Sequence, residues 1–152
     1  MNYKILVVDD REENRAAAKS YFGTRSDVEV DYATDYEEAI SNLEKELYAG
    51  AILDVNFPRK QGCEPEKLGF ELGKELNTKY RIPHVFLTAG QTEHHGKWGS
   101  VLLGEEASVR STKDKVYPQA WQTAYETLLE LNPDIPVILA ARKRLRELTQ
   151  GG

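Results

Sequence analysis

The amino-acid sequence predicts an α/β fold, with a doubly wound, five-stranded parallel sheet covered by helices on both faces. The first observation is that strand and helix patterns alternate five times along the chain, which is typical of repeated βα units. The second is that the apolar runs at residues 5–8 and 51–53 are uninterrupted, as in strands buried on both faces. The third is that carboxylates close both runs, and ligands of such folds lie beyond the carboxyl ends of the strands.

The composition indicates one globular domain. The chain has 152 residues, of which 40% are hydrophobic and 30% charged, and the net charge is −5. This balance predicts a soluble domain with a sizeable core and no basic surface for nucleic acid. Cys63 is the only cysteine, so an internal disulfide or a cysteine-based zinc site is excluded. Because no apolar run can span a bilayer and no signal-peptide pattern is present, we expect a cytoplasmic protein without a membrane partner.

The first half of the chain contains two strands and two helices in alternation. The run at residues 4–8 predicts the first strand, and the Ala-rich segment 12–22 predicts the first helix. Residues 28–32 alternate between apolar and polar, which predicts an edge strand with one solvated face. Residues 34–37 have the spacing of a capping box, which predicts the start of the second helix. We expect its apolar side chains to be Ile40, Leu43 and Leu47.

The second half continues the same alternation. Residues 49–53 predict a strand, residues 68–79 a helix and residues 82–87 a fourth strand. Residues 107–112 predict a short fifth strand. Pro118 then lies where a helix can begin, because proline is favourable in the first helical turn. The apolar stripe of this helix consists of Trp121, Tyr125, Leu128 and Leu129.

Polar residues follow three of the predicted strands. Asp9 and Asp10 end the first strand, Asp54 ends the third and Thr88 ends the fourth. Three carboxylates at one sheet edge repel each other, and a hard divalent cation such as Mg2+, which prefers oxygen ligands, relieves this repulsion. The pattern therefore favours a metal-assisted phosphoryl site.

These segments together resemble the receiver domain of two-component response regulators. Residues 7–10 resemble its acidic pair, and residues 53–58 resemble its phosphoacceptor strand with a proline-containing loop. Residues 86–89 resemble its hydroxyl-bearing strand end, and residues 111–113 the strand end that carries its lysine. The resemblance extends over roughly residues 4–131 and implies a flavodoxin-like fold. We accordingly predict a receiver domain over residues 1–131 and a C-terminal extension over residues 132–152.

The resemblance also implies a chemistry. Asp54 would accept a phosphoryl group from the phosphohistidine of a histidine kinase or a histidine phosphotransfer protein, in a Mg2+-dependent reaction. The domain would then signal by protein contact, and its only catalysis would be its own phosphorylation and slow dephosphorylation, so it is not an enzyme for external substrates. The implied Mg2+ ligands are Asp9, Asp10, Asp54 and the backbone carbonyl of Asn56. Thr88 and Lys113 would contact the phosphoryl oxygens, with Lys115 as the alternative to Lys113.

The chain departs from the family pattern in four places. Residues 63–68 form an insertion beside the predicted site, for which we expect a surface loop. Three glycines in residues 91–106 disfavour a helix there. Arg110 stands where the family often has an aromatic residue, and Asp114 where it usually has proline. Finally, residues 137–149 predict an extra amphipathic helix, through which an unidentified output protein could dock.

Two other functions stay open at this point. One is a receiver-like interaction module that works without phosphate, which the altered segment from 91 to 114 favours. The other is a Mg2+-dependent phosphohydrolase acting on an external substrate, a class that usually places a second aspartate two residues after its nucleophile. Asn56 stands at that position, which disfavours the phosphohydrolase.

Overall fold

The computed structural model describes residues 3–88, 107–111, 115–131, 144 and 147–149. Five parallel strands form the main sheet, and a short antiparallel pair lies outside it. The main strands are β1 (Tyr3–Val8), β2 (Val28–Ala33), β3 (Gly50–Leu53), β6 (His84–Thr88) and β7 (Ala107–Ser111). The short pair is β4 (Phe57–Pro58) and β5 (Pro65–Glu66). The described helices longer than one turn are α1 (Glu12–Phe22), α2 (Tyr36–Lys45), α3 (Leu68–Glu75) and α4 (Pro118–Leu131).

The strand order β2-β1-β3-β6-β7 gives the sheet a doubly wound topology. The second strand, β2, lies on one side of β1. The later strands β3, β6 and β7 follow in order on the other side. The order therefore reverses between β1 and β3, whose carboxyl ends flank the crevice in which such folds bind ligands. The predicted fold class is confirmed, and β2 lies at the edge as its alternating pattern predicts.

Helices cover both faces of the sheet. On one face, the core contains alternate strand residues packed with α2 and α3, including Leu6, Val8, Leu53, Leu43 and Leu72. On the other face, the intervening residues pack with α1 and α4, including Ile5, Val7, Ile52, Ala18 and Tyr125. Burial on both faces explains why the central strands are apolar without interruption.

The ends of α2 differ from the sequence prediction by a few residues. Its N-cap is Asp35, which accepts a hydrogen bond from the Glu38 N–H at 2.8 Å, and not Thr34. The helix ends at Lys45, so Leu47 is 85% exposed and does not join the core. Tyr48 is buried there instead, and its hydroxyl donates to Asp31 at 2.7 Å.

The segment that follows β3 contains a short hairpin, and residues 63–67, for which we expected a surface loop, are exposed. Phe57 pairs with Glu66 and Pro58 with Pro65, and the turn between the two strands contains Cys63. One hairpin strand starts three residues after Asp54, so the hairpin lies close to the carboxyl end of β3.

Arg59 attaches this hairpin to two helices. Its carbonyl oxygen accepts the Glu37 N–H at 3.0 Å, and its guanidinium lies 5.1 Å from the centroid of the Tyr36 ring. The same guanidinium pairs with Glu71 of α3 at 3.2 Å. The hairpin is thereby held between α2 and α3.

The predicted helix 68–79 is in two parts. The α-helix ends at Glu75, and a π-helical segment, Leu76–Tyr80, continues it. Arg81 then reverses the chain in the left-handed region, with φ 56°, a conformation that side chains with a Cβ rarely adopt.

Several predictions lie outside the described residues. They concern the segment 91–106, Lys113, Asp114 and most of the extension 132–152. Within the extension, Arg144 and residues 147–149 are helical, and Leu148 is exposed. In the part of the chain that the structure describes, no helix has the length and apolar character needed to span a membrane.

Candidate functional site

Asp9 is the most constrained acid at the carboxyl edge of the sheet. It follows β1 directly, is fully buried, and its own N–H donates to the Ala33 carbonyl at 3.1 Å. One of its carboxylate oxygens accepts the Arg11 N–H at 3.0 Å, and Asn14 donates to both oxygens at 3.2 and 3.3 Å. Arg15 donates to the Asp9 carbonyl at 2.9 Å. The first turn of α1 is therefore organised around this one carboxylate.

Asp54 lies beside Asp9 because β1 and β3 are neighbours. Its N–H donates to the Val8 carbonyl at 2.9 Å, which extends the β1–β3 ladder to the end of the strand. Its Oδ1 accepts the Val55 N–H at 2.7 Å. One carboxylate oxygen is thus fixed by the main chain, and the other, Oδ2, faces the cluster.

Lys115 places a positive charge next to two of the acids of the site. Its ammonium lies 2.6 Å from Asp9 Oδ2 and 3.4 Å from Asp54 Oδ2, and its side chain is only 2% exposed. The sequence interpretation named Lys113 and kept Lys115 as the alternative. Lys113 lies outside the described residues, whereas Lys115 lies between the two acids.

The three carboxylates form a group with the chemistry of a cation site. Asp9, Asp10 and Asp54 each offer one oxygen, and these oxygens lie within 4.8 Å of one another. Among the described residues, the ammonium of Lys115 pairs with two of these three carboxylates, Asp9 and Asp54. When these four described groups are ionised, negative charge exceeds positive charge, which fits a divalent cation with oxygen ligands.

Burial makes this excess charge unfavourable in the metal-free protein. Loss of solvent raises the pKa of Asp54 to about 6; Lys115 opposes the shift, and repulsion from Asp9 adds to it. Burial likewise raises the pKa of Asp10, and repulsion from Asp9 again contributes. A cation bound among these carboxylates would offset both effects, because it favours the ionised form of each acid.

Asn56 and Thr88, which were also predicted as site residues, lie at the same carboxyl-terminal end of the sheet. Asn56 is two residues beyond Asp54 in the turn before β4, with its side chain exposed. Thr88 is the last residue of β6, where its main chain pairs with Ser111 of β7. Since β6 is the direct neighbour of β3, Thr88 is placed on the strand next to the one that Asp54 follows.

Two residues that support the site were not singled out from the sequence. Trp121, predicted only as part of an apolar stripe, donates its indole N–H to the Lys115 carbonyl at 2.8 Å. Gly69, in the first turn of α3, donates to the Val55 carbonyl at 2.9 Å. A Cβ at Gly69 would overlap the Asp54 carbonyl oxygen and come within 2.8 Å of Val55 Cα, so only glycine permits this approach of α3 to the site. No local pattern in the sequence distinguishes either residue from ordinary helix positions.

The fold and this cluster define a class: a flavodoxin-like α/β domain with a buried acid–lysine site at its topological switch point. Residues 5–98 match the sequence model of the response regulator receiver domain, which is more than half of the chain. The chain therefore belongs to the receiver domain family of two-component response regulators, a family of signalling domains.

Comparisons with individual proteins agree with this assignment. The chain is 38% identical over 94 residues to the alkaline phosphatase synthesis transcriptional regulatory protein PhoP of Bacillus subtilis. That match covers 61% of this chain but 36% of PhoP, so the chain spans about a third of the length of this relative.

Two solved structures show the shared fold. The chemotaxis response regulator CheY4 of Vibrio cholerae aligns with a TM-score of 0.64 at 22% identity, over 85% of this chain and 100% of that one. A putative response regulator from Chloroflexus aurantiacus aligns with a TM-score of 0.65 at 22% identity, over 86% and 99% of the two chains.

Proposed function

We propose that this chain is a phosphoacceptor receiver of a two-component phosphorelay, in which Asp54 takes a phosphoryl group from a phosphohistidine. The observation that carries the proposal is the buried ammonium of Lys115, placed between Asp9 and Asp54 at 2.6 and 3.4 Å. Phosphoryl transfer depends chiefly on positioning and on neutralising the oxygens of the transferred group. A buried cation beside the acceptor carboxylate is suited to that task.

The transfer itself requires one bond to form and one to break. A carboxylate oxygen of Asp54 attacks the phosphorus, and the P–N bond to the donor imidazole breaks. The electron pair of that bond stays with the imidazole, which leaves neutral because its other ring nitrogen carries a proton. The product is an acyl phosphate on Asp54, so the net change is a phosphoryl group moved from one protein to the other.

Receiver domains bind Mg2+ in an acidic pocket, and the donor set here fits that ion. The carboxylates of Asp9, Asp10 and Asp54 would hold it, together with the backbone carbonyl of Asn56. When bound, Mg2+ supplies positive charge that stabilises the phosphoryl oxygens in the transition state.

Lys115 and Thr88 complete the proposed site. The ammonium of Lys115 would exchange part of its contact with Asp9 for a phosphoryl oxygen, since a compact cation on a flexible stem can pair with either. Thr88, at the end of β6, would donate its hydroxyl to the same group. We assign the lysine role to Lys115 in preference to Lys113 because its distances to both acids support it.

The biological setting follows from this chemistry. The donor would be a histidine kinase or a histidine phosphotransfer protein in the cytoplasm, and the signal would pass on by contact with an output protein. Residues 1–131 would form the receiver, and the extension 132–152 would offer an additional contact for that output protein. Hydrolysis of external phosphate esters is not part of the proposed function.

The test is a direct measurement of the acyl phosphate. The protein is incubated with a small acyl-phosphate donor, with and without Mg2+, quenched in acid and analysed by intact mass, with Asp54→Asn alongside. We expect one phosphoryl adduct that requires Mg2+ and is absent from the variant. A folded wild-type protein without any adduct would overturn the proposal and favour an interaction module that works without phosphate.

A further inference from the structure

One indole contacts both ends of the buried lysine. Trp121, on α4, is 1% exposed, and its N–H donates to the Lys115 carbonyl oxygen at 2.8 Å. The centroid of the same ring lies 5.9 Å from the Lys115 ammonium, within the range of a cation–π contact. Trp121 therefore contacts the lysine at its main chain and close to its charge.

The main chain around Lys115 has few other attachments among the described residues. Val116 and Tyr117, which follow it directly, are 46% and 56% exposed, and α4 begins at Pro118. The described connection from Lys115 to α4 is thus a buried residue followed by two solvated ones. On this side of Lys115, the hydrogen bond from Trp121 to the lysine carbonyl joins the connection to α4.

The position of the ammonium matters because its partners lie on other elements. Asp9 follows β1 and Asp54 follows β3, whereas Lys115 enters from the connection before α4. A buried charge is tolerated only where its partners have the right geometry. Trp121 is the described side chain that joins the lysine main chain to α4, the helix packed against those two strands.

We propose that Trp121 is a positioning residue for Lys115: its indole N–H fixes the carbonyl of the lysine, so that the ammonium is held at Asp54. Trp121 does not contact the phosphoryl group in this scheme and acts only through the lysine. The kinetic part of the inference rests on the proposed phosphoacceptor function, whereas the geometric part does not.

The alternative to be excluded is that Trp121 is only a large core residue. It belongs to the cluster that contains Ile5, Val7 and Leu128, so its replacement will also reduce stability. The matched control is Leu128→Ala, which removes a fully buried side chain of the same helix without removing a described contact to Lys115. Both variants are compared at a temperature where both are folded.

The first measurement is a double-mutant cycle on the rate of phosphorylation by a small acyl phosphate at saturating Mg2+. We expect Trp121→Phe, which retains an aromatic ring but has no N–H donor, to slow the reaction roughly ten- to a hundredfold. In a Lys115→Ala background the same substitution should cause no further loss. Equal loss in both backgrounds, or an equal loss for Leu128→Ala, would overturn the inference.

The second measurement requires no phosphoryl transfer. The unphosphorylated protein is treated with an amine-reactive reagent, and modification of Lys115 is followed by peptide mass spectrometry. We expect Lys115 to be protected in the wild type and in Leu128→Ala, and to become reactive in Trp121→Phe. Protection in all three proteins would overturn the inference, even if the wild type is phosphorylated. Selective exposure in Trp121→Phe would support it, even if the wild type accepts no phosphate.

Discussion

Asp54 illustrates how a buried residue of the candidate site can reduce the stability of the fold that contains it. Its side chain is mostly buried, and loss of solvent together with Asp9 raises its pKa to about 6, despite the nearby Lys115. A carboxyl with a raised folded pKa stabilises the folded state at low pH, and this contribution is lost as the pH rises through the folded pKa. In the metal-free protein, the stabilising contribution of Asp54 should therefore be lost between about pH 4 and pH 7.

The first prediction concerns the variant Asp54→Asn in the presence of a chelator. Asparagine retains an oxygen for the Val55 N–H but carries no charge, so at pH 7.5 we expect a stability gain of about 1–3 kcal/mol. At pH 4.5 the gain should largely disappear. Urea unfolding at both pH values measures the difference, and a gain that is independent of pH would contradict the electrostatic explanation.

The second prediction concerns the cation. If Mg2+ binds the acidic cluster of the folded protein, a concentration of about 100 times its Kd should stabilise the fold by about 2.7 kcal/mol. The unfolding temperature of the wild type should rise accordingly, and that of Asp9→Asn should rise much less. Asp35→Asn is the matched control: Asp35 caps α2 through an oxygen that asparagine also has, so its response to Mg2+ should equal that of the wild type.

The acids of the candidate site could be predicted from the sequence. For its lysine, the sequence left two candidates. Asp9 and Asp54 end apolar strands, and parallel strands bring their carboxyl ends to one edge. A lysine in a connection has no such marker, because a buried and an exposed lysine look alike in a sequence. The choice between Lys113 and Lys115 depends on the path of a few residues after β7, and the hydrophobic periodicity of the sequence does not predict that path.

At the scale of elements, the hairpin β4–β5 lies beside the candidate site and is attached to two helices. Arg59 attaches it to α2 and α3 by an aromatic contact and an ion pair. The guanidinium side chain is 45% exposed, so the ion pair alone contributes little. The stacking on Tyr36 adds about 0.5–1 kcal/mol.

The third prediction follows from this attachment. We expect Arg59→Ala to reduce the free energy of unfolding by about 1 kcal/mol and to increase hydrogen exchange in the hairpin, with the main sheet unchanged. Arg25→Ala is a matched control, because Arg25 also pairs with a carboxylate, at 3.1 Å, and lies 5.2 Å from a tyrosine ring. If Arg25→Ala also accelerates exchange in the hairpin, the effect is global and the local explanation is wrong.

The fourth prediction concerns the approach of α3 to the site. Gly69→Ala places a methyl group against the Asp54 carbonyl, so α3 or the end of β3 has to move. We expect a loss of about 1–3 kcal/mol in urea unfolding and slower phosphorylation, because Asp54 itself is displaced. Lys74→Ala, at an exposed position in the same helix, should change neither quantity by a comparable amount.

Most helices and strands could be predicted from local sequence patterns. The residues at which they begin and end could be predicted less accurately. Helix α1 and the strands follow from periodicity, since burial of one or both faces leaves a repeating signal. The end of the π-helical segment after α3 does not, because it depends on Arg81 taking a left-handed conformation that its residue type does not favour. Leu47 shows the same limit: its spacing fits α2, but the helix ends two residues earlier.

At the scale of the whole molecule, the strand order places the acids together. Asp9 directly follows β1, and Asp54 directly follows β3. These two strands are neighbours in the sheet, whose edges are formed by β2 and β7. The repeated βα pattern predicts a parallel sheet with helices on both faces, and the flavodoxin-like fold was implied by the family resemblance. All described residues of the site lie within α4 or before it in the sequence, and α4 ends at Leu131.

The fifth prediction tests the division of the chain. A protein ending at residue 131 should fold and accept phosphate at the same rate as the full chain, because the described site is complete by α4. Circular dichroism and the acid-quenched mass measurement test the two parts separately. A folded but unreactive truncated protein would show that the extension 132–152 contributes to the site.

The position of Lys115 also has a consequence for the newly synthesised chain. The lysine is separated from Asp9 by 106 positions (115 − 9), yet the two form the shortest ion pair of the site. A ribosome-bound chain that already contains both acids still lacks the cation that offsets their repulsion. If Asp54 is the phosphoacceptor as proposed, we expect competence for phosphate to be acquired late in translation, after almost the whole receiver has emerged.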